Sequence, residues 1–196
     1  EGHPSFTLAQ LMGKARLAGQ GYDEAWSGAR ERLVFTTHTP VPAGNETYDS
    51  GEAREMLHRV ASVTGDADRF LATGRLDPAD SEGRIGMTPL ALRGARSTNG
   101  VSRRHGEVAR DMWQPLFGGP VEDVPITHVT NGVHVPTWLG PAMKELFDRH
   151  FGPDWLTRAD DPATWAAVDD IPDEALWEAR TESRSRLVGF IRERSA

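Results

Sequence analysis

The sequence contains no cysteine, which excludes disulfide bonds, zinc sites built from thiolates and thiol catalysis. It also lacks a run of about 20 apolar residues and any stretch resembling a signal peptide, which favours a soluble, cytoplasmic protein without a membrane partner. Basic residues are outnumbered, because 29 Asp and Glu against 22 Lys and Arg give a formal charge of -7. Since nucleic-acid phosphates are bound by basic surfaces, no nucleic-acid partner is expected.

Motifs of several enzyme classes are missing as well. None of the seven histidines stands in a metal-ligand spacing such as His-Glu-x-x-His, so no metal site is expected. There is no Gly-rich phosphate loop, no nucleophile elbow and no Ser-x-x-Lys pair. What remains, with 38% hydrophobic and 26% charged residues over 196 positions, is typical of a globular chain that can bury a core.

Two short β-prone runs separate helical stretches, which indicates a helix-rich α/β fold. The first run covers residues 33–37 and the second covers 126–130. Between them, Asn99-Gly100 is interpreted as a turn, because this dipeptide favours turns. Surface loops are predicted over 41–49 and 73–86 from their content of Pro, Gly, Asn and Asp.

Apolar residues at helical spacing predict the helices. Ser5 is the expected N-cap of the first helix, and the apolar stripe of that helix comprises Leu8, Leu11, Met12, Ala15 and Ala18. Further helices are predicted over 22–31 and 89–96, around Val101, His105, Val108 and Met112, around Met143, Leu146 and Phe147, and from Pro172 onward. His105 lies on an apolar helical face and is therefore predicted to be buried and hydrogen-bonded.

Polar side chains follow both predicted strands, at the position where ligands bind in open α/β sheets. His38 follows the first strand and Asn131 follows the second, while the opening loop, Glu1–Pro4, is interpreted as a third such loop within a longer chain. Imidazole, carboxamide and carboxylate groups suit sugar hydroxyls, because they donate or accept hydrogen bonds. Position alone leaves alternatives open, since a histidine after a strand commonly stabilises a loop and Asn-Gly is a turn sequence.

Longer strings resemble the α-glucan phosphorylases, the family of the glycogen, starch and maltodextrin phosphorylases. The similar segments are an acidic-x-His-Pro loop at Glu1–Pro4, a Thr-His-Thr segment in Val34–Pro40, a helix pair in Met87–Arg93 and Asn99–Val108, and a Thr-Asn-Gly segment in Val129–Trp138. They occur in the family's order and are more similar to the bacterial branch. Where animal members have Pro-Arg-Arg-Trp, this chain has Pro136-Thr137-Trp138, which lacks one basic position.

The resemblance implies a two-lobed glycosyltransferase of the GT-B type, of which this chain is an internal fragment. Residues 1–131 would form the rear half of the sugar-side, Rossmann-like lobe, and residues 132–196 a helical segment leading toward the cofactor-binding lobe. The implied reaction is phosphorolysis of α-1,4-glucans by inorganic phosphate to α-glucose 1-phosphate, with pyridoxal phosphate as cofactor. Homo-oligomeric assembly and allosteric regulation of the intact enzyme are compatible with the resemblance.

The resemblance also implies roles for individual residues. His38 and Asn131 would hold the 6-hydroxyl of the reacting glucose, Glu1 and His3 would line the pocket beside its anomeric face, and Trp138 would lie near the cofactor. The family's cofactor lysine and phosphate-binding motifs are absent from this sequence, whose only lysines are Lys14 and Lys144 on predicted amphipathic helices. The fragment alone is therefore expected neither to bind pyridoxal phosphate nor to catalyse the reaction.

Two other functions remain open at this point. The chain could be a non-catalytic carbohydrate-binding or regulatory module derived from a phosphorylase, which the flanking sequence would distinguish from an enzyme fragment. A metal-dependent hydrolase is a more distant alternative. The six tryptophans, Trp138 included, are predicted to be core or interface residues by default, because their large apolar surface favours burial.

Overall fold

The protein is described by a computed structural model that covers residues 2–195, apart from the side chain of His3. The chain divides into two compact units, with the boundary between Asn131 and Gly132. The first unit is a helix-rich α/β structure with a small parallel sheet, as the sequence predicts. The described residues of the second unit form helices and the turns that connect them, without a strand.

Six α-helices and five short strands build the first unit over its described residues, 2–131. The helices are α1 (Phe6–Leu17), α2 (Tyr22–Arg30), α3 (Ser50–Ser62), α4 (Ala67–Ala72), α5 (Met87–Gly94) and α6 (Arg103–Phe117). The strands are β1 (Val34–Thr37), β2 (Thr47–Tyr48), β3 (Ile85–Gly86), β4 (Ser97–Gly100) and β5 (Ile126–His128). Strands β1, β4 and β5 form a parallel sheet in that order, and β2 and β3 form a separate antiparallel pair.

The parallel sheet confirms both predicted strands and corrects the interpretation of Asn99-Gly100. These residues do not form a turn, because they lie in β4, the central strand of the sheet. The side chain of Asn99 accepts a hydrogen bond from the Thr36 hydroxyl of β1 at 3.1 Å and donates one to the Gly100 carbonyl at 3.2 Å. Asparagine has a poor strand propensity, which these contacts and pairing with two neighbouring strands override.

Two apolar clusters stabilise the first unit. The larger cluster contains residues from each of the five helices α1 through α5 and from β3. Its buried members include Met12, Ala25, Ala53, Phe70, Ile85 and Leu90. The smaller one comprises Leu92, Ala109, Trp113, Val124 and Ile126, and it fixes α6 on the sheet. Burial of each large apolar side chain contributes about 1.5–3 kcal/mol.

The first helix begins directly after Ser5, the predicted N-cap residue, but without the expected capping bond. Ser5 lies in a 3-10 turn (His3–Ser5) before α1, and its hydroxyl makes no cap. Instead the hydroxyl donates to the Met87 carbonyl at 3.3 Å, because the serine is buried against α5. Leu8 and Met12 are buried as expected, whereas Ala18 follows the last residue of the helix and is exposed.

Within its described residues, 132–195, the second unit contains an aromatic cluster and four α-helices. They are α7 (Val135–Trp138), α8 (Pro141–Phe151), α9 (Pro162–Ala166) and α10 (Asp173–Ser195). Phe147, Phe151, Trp155 and Trp165 meet edge-on or stacked, with ring centroids 4.9–6.1 Å apart. The helix predicted from Pro172 is confirmed as α10, with acidic residues in its first turn and arginines in its last. Among the described residues, no helix combines the length and the apolar character needed to cross a bilayer.

Candidate functional site at the carboxyl ends of the parallel strands

The three parallel strands end at the same level. Thr37 of β1 is in register with Gly100 of β4, and Gly100 is in register with His128 of β5. The chain therefore leaves the sheet at one common edge after each strand. His38 is the first residue beyond β1 and is exposed, whereas Thr37 before it is buried. This edge is where α/β sheets bind ligands.

Backbone hydrogen bonds continue from the sheet into the segment that carries Asn131. The Val129 amide donates to the Gly100 carbonyl at 2.9 Å, and the Asn131 amide donates to the Val101 carbonyl at 3.0 Å. Asn131 thus lies beside the first residue after β4, with its side chain exposed. The segment that carries Asn131 therefore continues the parallel pairing of β5 with β4 beyond the ends of both strands.

His105 links the segments that follow β1 and β4. Its Nδ1 accepts a hydrogen bond from the Val101 amide at 3.2 Å, and its Nε2 lies 3.3 Å from the Thr39 carbonyl. The residue is only 8% exposed, which confirms the prediction of a buried, hydrogen-bonded histidine. Because Thr39 is adjacent to His38, the ring connects both predicted sugar-binding segments.

The first turn of α6 packs unusually close to the strand ends. Ser102 caps this helix by accepting a hydrogen bond from the His105 amide at 3.1 Å. A Cβ atom on Gly100 would lie 2.8 Å from the Gly106 nitrogen, and one on Gly106 would lie 3.0 Å from the Thr127 carbonyl oxygen. A side chain at position 100 would force the backbone to shift, and one at position 106 would require its neighbours to move by a few tenths of an ångström. This close approach is what brings His105 to the edge of the sheet.

The loop after His38 is held at several points. The Asn45 amide group donates to the Val41 and Pro42 carbonyls and accepts from the Thr88 hydroxyl at 2.8 Å. Glu46 continues the same loop, and its carbonyl accepts a hydrogen bond from the Met87 amide at 3.0 Å. These contacts attach the loop to α5, whereas the sequence predicts only a surface loop here.

Glu46 also connects this loop to the N-terminal segment. Its carboxylate accepts a hydrogen bond from the Tyr48 hydroxyl, which raises the pKa of Tyr48 to about 12. The other carboxylate oxygen lies against Gly2, where any side chain would collide with it. Gly2 is buried, and this contact places it next to the loop that follows His38.

The other predicted site residues are Glu1, His3 and Trp138. Glu1 lies outside the described residues, as does the side chain of His3, so neither predicted role has a described geometry. Trp138 is the last residue of α7 in the second unit and is 78% exposed, so it is not a core residue. The tryptophan prediction holds for Trp113 and Trp155, which are buried.

The described residues do not fit a pyridoxal phosphate site. An aldehyde cofactor needs a lysine amine, and the two lysines lie exposed on α1 and α8. Lys144 is paired with Asp148 at 2.6 Å, in an i,i+4 ion pair on the helix surface. Among residues 2–195, no group of three or more His, Asp or Glu side chains could hold a metal ion.

Sequence reasoning missed the role of β4 in assembling this edge. The Asn99-Gly100 dipeptide predicts a turn followed by a helix that includes Val101, whereas Val101 follows the end of β4 and precedes α6. The available signal was the Ser102 N-cap, which starts the helix after Val101 and so separates Val101 from it.

Comparison with known proteins shows the family of the chain. The family model described as carbohydrate phosphorylase matches residues 1–196. The chain is 36% identical to a maltodextrin phosphorylase of Thermococcus litoralis over 98% of its length, covering 22% of that protein. It is 35% identical to a glycogen phosphorylase of Aquifex aeolicus (all of this chain, 28% of that protein) and 36% identical to one of Mycobacterium tuberculosis (99% and 23%). The chain thus spans about a quarter of the length of these relatives, and it belongs to the carbohydrate phosphorylase family.

Proposed function

We propose that the chain is the sugar-side segment of an α-glucan phosphorylase with a GT-B fold. In the longer protein, the reaction would be phosphorolysis of α-1,4-glucans by inorganic phosphate to α-glucose 1-phosphate. Residues 1–131 would contribute the rear half of the sugar-side lobe, and residues 132–196 would lead toward the cofactor-binding lobe. The observation that carries the proposal is the common edge of β1, β4 and β5, where His38 and Asn131 follow aligned strand ends.

His38 and Asn131 would bind the 6-hydroxyl of the reacting glucose. A hydroxyl donates one hydrogen bond and accepts up to two, so an imidazole nitrogen and a carboxamide can satisfy it together. Both residues are exposed at the edge; the Asn131 amide is hydrogen-bonded to Val101, and the Thr39 carbonyl beside His38 contacts the His105 ring. Such a preorganised pair orients the sugar without reorganisation of the protein during the reaction.

Other parts of the proposal rest on the family alone. Glu1 and His3 would line the pocket beside the anomeric carbon, and Trp138 would lie near the cofactor. Pyridoxal phosphate, when bound by the longer protein, would act through its phosphate group, and the lysine that holds it would come from outside this chain. A cytoplasmic, homo-oligomeric enzyme with α-glucan and phosphate as substrates completes the proposal.

The proposal is tested by alanine substitutions in the longer protein that carries this segment. His38→Ala and Asn131→Ala should each lower phosphorolysis by about 5-fold to 150-fold, because losing a polar partner in a desolvated site costs about 1–3 kcal/mol. His58→Ala is the matched control, since His58 is exposed on α3, and it should leave the rate unchanged.

Thermal melting of the same variants separates binding from folding. Both site residues are exposed, so the melting temperature should stay close to that of the unsubstituted protein. Equal losses of activity and melting temperature would show that the two residues are structural and would refute the assignment. If the longer protein bound glucan but did not phosphorolyse it, the function would be that of a carbohydrate-binding module.

A further inference from the structure

His105 contacts two strand-end segments through the two nitrogens of one ring. Nδ1 accepts from the Val101 amide, so in the neutral ring the proton lies on Nε2. That Nε2–H is then the donor to the Thr39 carbonyl at 3.3 Å. The contacts specify one tautomer, because the opposite tautomer would direct two N–H groups at each other and leave the carbonyl facing a lone pair.

Each contact of the ring is one step from a residue of the sugar site. Thr39 directly follows His38 in the chain. Val101 holds the Asn131 amide through its carbonyl, so the same residue that donates to the ring also accepts from the Asn131 segment. One buried side chain therefore links, directly or through Val101, the segments of two residues that are 93 positions apart in sequence.

We propose that His105 is a positioning residue that holds His38 and Asn131 at the separation needed to bind one sugar hydroxyl. The inference rests on the proposed function of these two residues, since it assigns His105 a role only through them. Its effect is geometric, because a misplacement of about 1 Å in a binding group can lower a rate by about 100-fold. The ring itself is buried behind the edge and does not touch substrate.

Two substitutions separate the two contacts of the ring. In His105→Asn, the amide oxygen can take the place of Nδ1 and accept from Val101, but the side chain is too short to reach Thr39. In His105→Gln, the terminal amide nitrogen can take the place of Nε2 and donate to Thr39, while the contact with Val101 is lost. His105→Asn therefore removes the contact with Thr39 that positions His38. His105→Gln removes the contact with Val101 that positions Asn131.

The test is a double-mutant cycle on kcat/KM for phosphorolysis in the longer protein. We expect His105→Asn to lower kcat/KM by about 10-fold in the unsubstituted background and to have no further effect when combined with His38→Ala, since His38 can be misplaced only while it is present. Combined with Asn131→Ala, it should retain its full effect. His105→Gln should show the reverse pattern, and His58→Asn and His58→Gln should be neutral.

The outcomes distinguish this inference from the proposed function. If His38→Ala and Asn131→Ala do not lower kcat/KM, the proposed function fails. If they do, but His105→Asn and His105→Gln lower kcat/KM to the same extent in every background, His105 is only structural and the inference is overturned.

A second measurement does not depend on the variants folding. The 15N chemical shifts of the His105 ring in the unsubstituted chain report the tautomer directly. We expect a protonated Nε2 and an unprotonated Nδ1, and a ring protonated at Nδ1 would overturn the inference.

Discussion

Substitution of Gly100 by alanine tests the close packing on which the geometry of the site depends. A Cβ at this position would lie 2.8 Å from the Gly106 nitrogen and 3.1 Å from both the Gly106 Cα and the His105 carbonyl carbon. All three are backbone atoms, so no side-chain rotation can relieve the clash. Ordinary contact begins at 3.4 Å, which means that the first turn of α6 must move by about 0.6 Å.

The expected cost follows from this displacement. Overpacking of a tight contact costs about 1–3 kcal/mol of unfolding free energy. Gly28→Ala is the matched control, because Gly28 lies in α2 with no atom within 4 Å of the added methyl group. That variant should be stabilised by about 0.5–1 kcal/mol, since alanine favours helices over glycine.

Urea unfolding followed by circular dichroism measures both effects in the isolated chain. Hydrogen exchange of the Val101 amide gives a local readout, because the shifted turn should weaken its bond to the His105 ring and accelerate exchange. If Gly100→Ala is as stable as the unsubstituted chain and the Val101 amide exchanges at the same rate, the packing argument is refuted.

Three further predictions concern other parts of the chain. Asp148→Ala should lower the melting temperature of the second unit, because the buried Trp155 indole N–H loses its acceptor at 3.0 Å, whereas Asp148→Asn keeps an acceptor and should lower it less. The Glu46 carboxylate accepts a hydrogen bond from the neutral Tyr48 hydroxyl and raises the pKa of Tyr48 to about 12. The stabilisation of the folded state by this bond is complete below the ordinary tyrosine pKa of about 10 and is lost as pH rises through about 12. In Glu46→Gln, tyrosinate absorbance should therefore develop at lower pH, and an unchanged titration would contradict the role of Glu46. The isolated chain incubated with pyridoxal phosphate and borohydride should form no adduct at one specific lysine, and it should release no glucose 1-phosphate from glucan. A specific lysine adduct or measurable release of glucose 1-phosphate would reveal a site not described above.

The strands that the sequence predicted are those with sustained β-branched or aromatic residues. Residues 33–37 and 126–130 contain such runs, and both form strands close to the predicted bounds. Strand β4 reads Ser-Thr-Asn-Gly, which favours a turn by local propensity. The strand forms because β1 and β5 pair with it on either side and because Gly100 has no side chain to keep α6 away. Neither condition can be recognised in a short window of sequence.

The positions of the site residues were more predictable than their connections. His38 and Asn131 could be placed at strand ends, because strand boundaries are readable from composition. The burial of His105 could be predicted from helical spacing. Its partners could not, since Thr39 lies 66 residues away and its contact exists only once β1 and β4 are neighbours. The Ser5 hydroxyl is a similar case, because its bond to Met87 depends on how α1 and α5 pack.

The most direct test of the account compares α-glucose 1-phosphate with its 6-deoxy analogue in the longer protein, assayed in the direction of glucan extension. If His38 and Asn131 bind the 6-hydroxyl, His38→Ala and Asn131→Ala should lower kcat/KM by about 5-fold to 150-fold with glucose 1-phosphate. Neither substitution should lower it with the 6-deoxy substrate, which has no hydroxyl to lose. Equal losses with both substrates would contradict the assignment of these residues to the sugar.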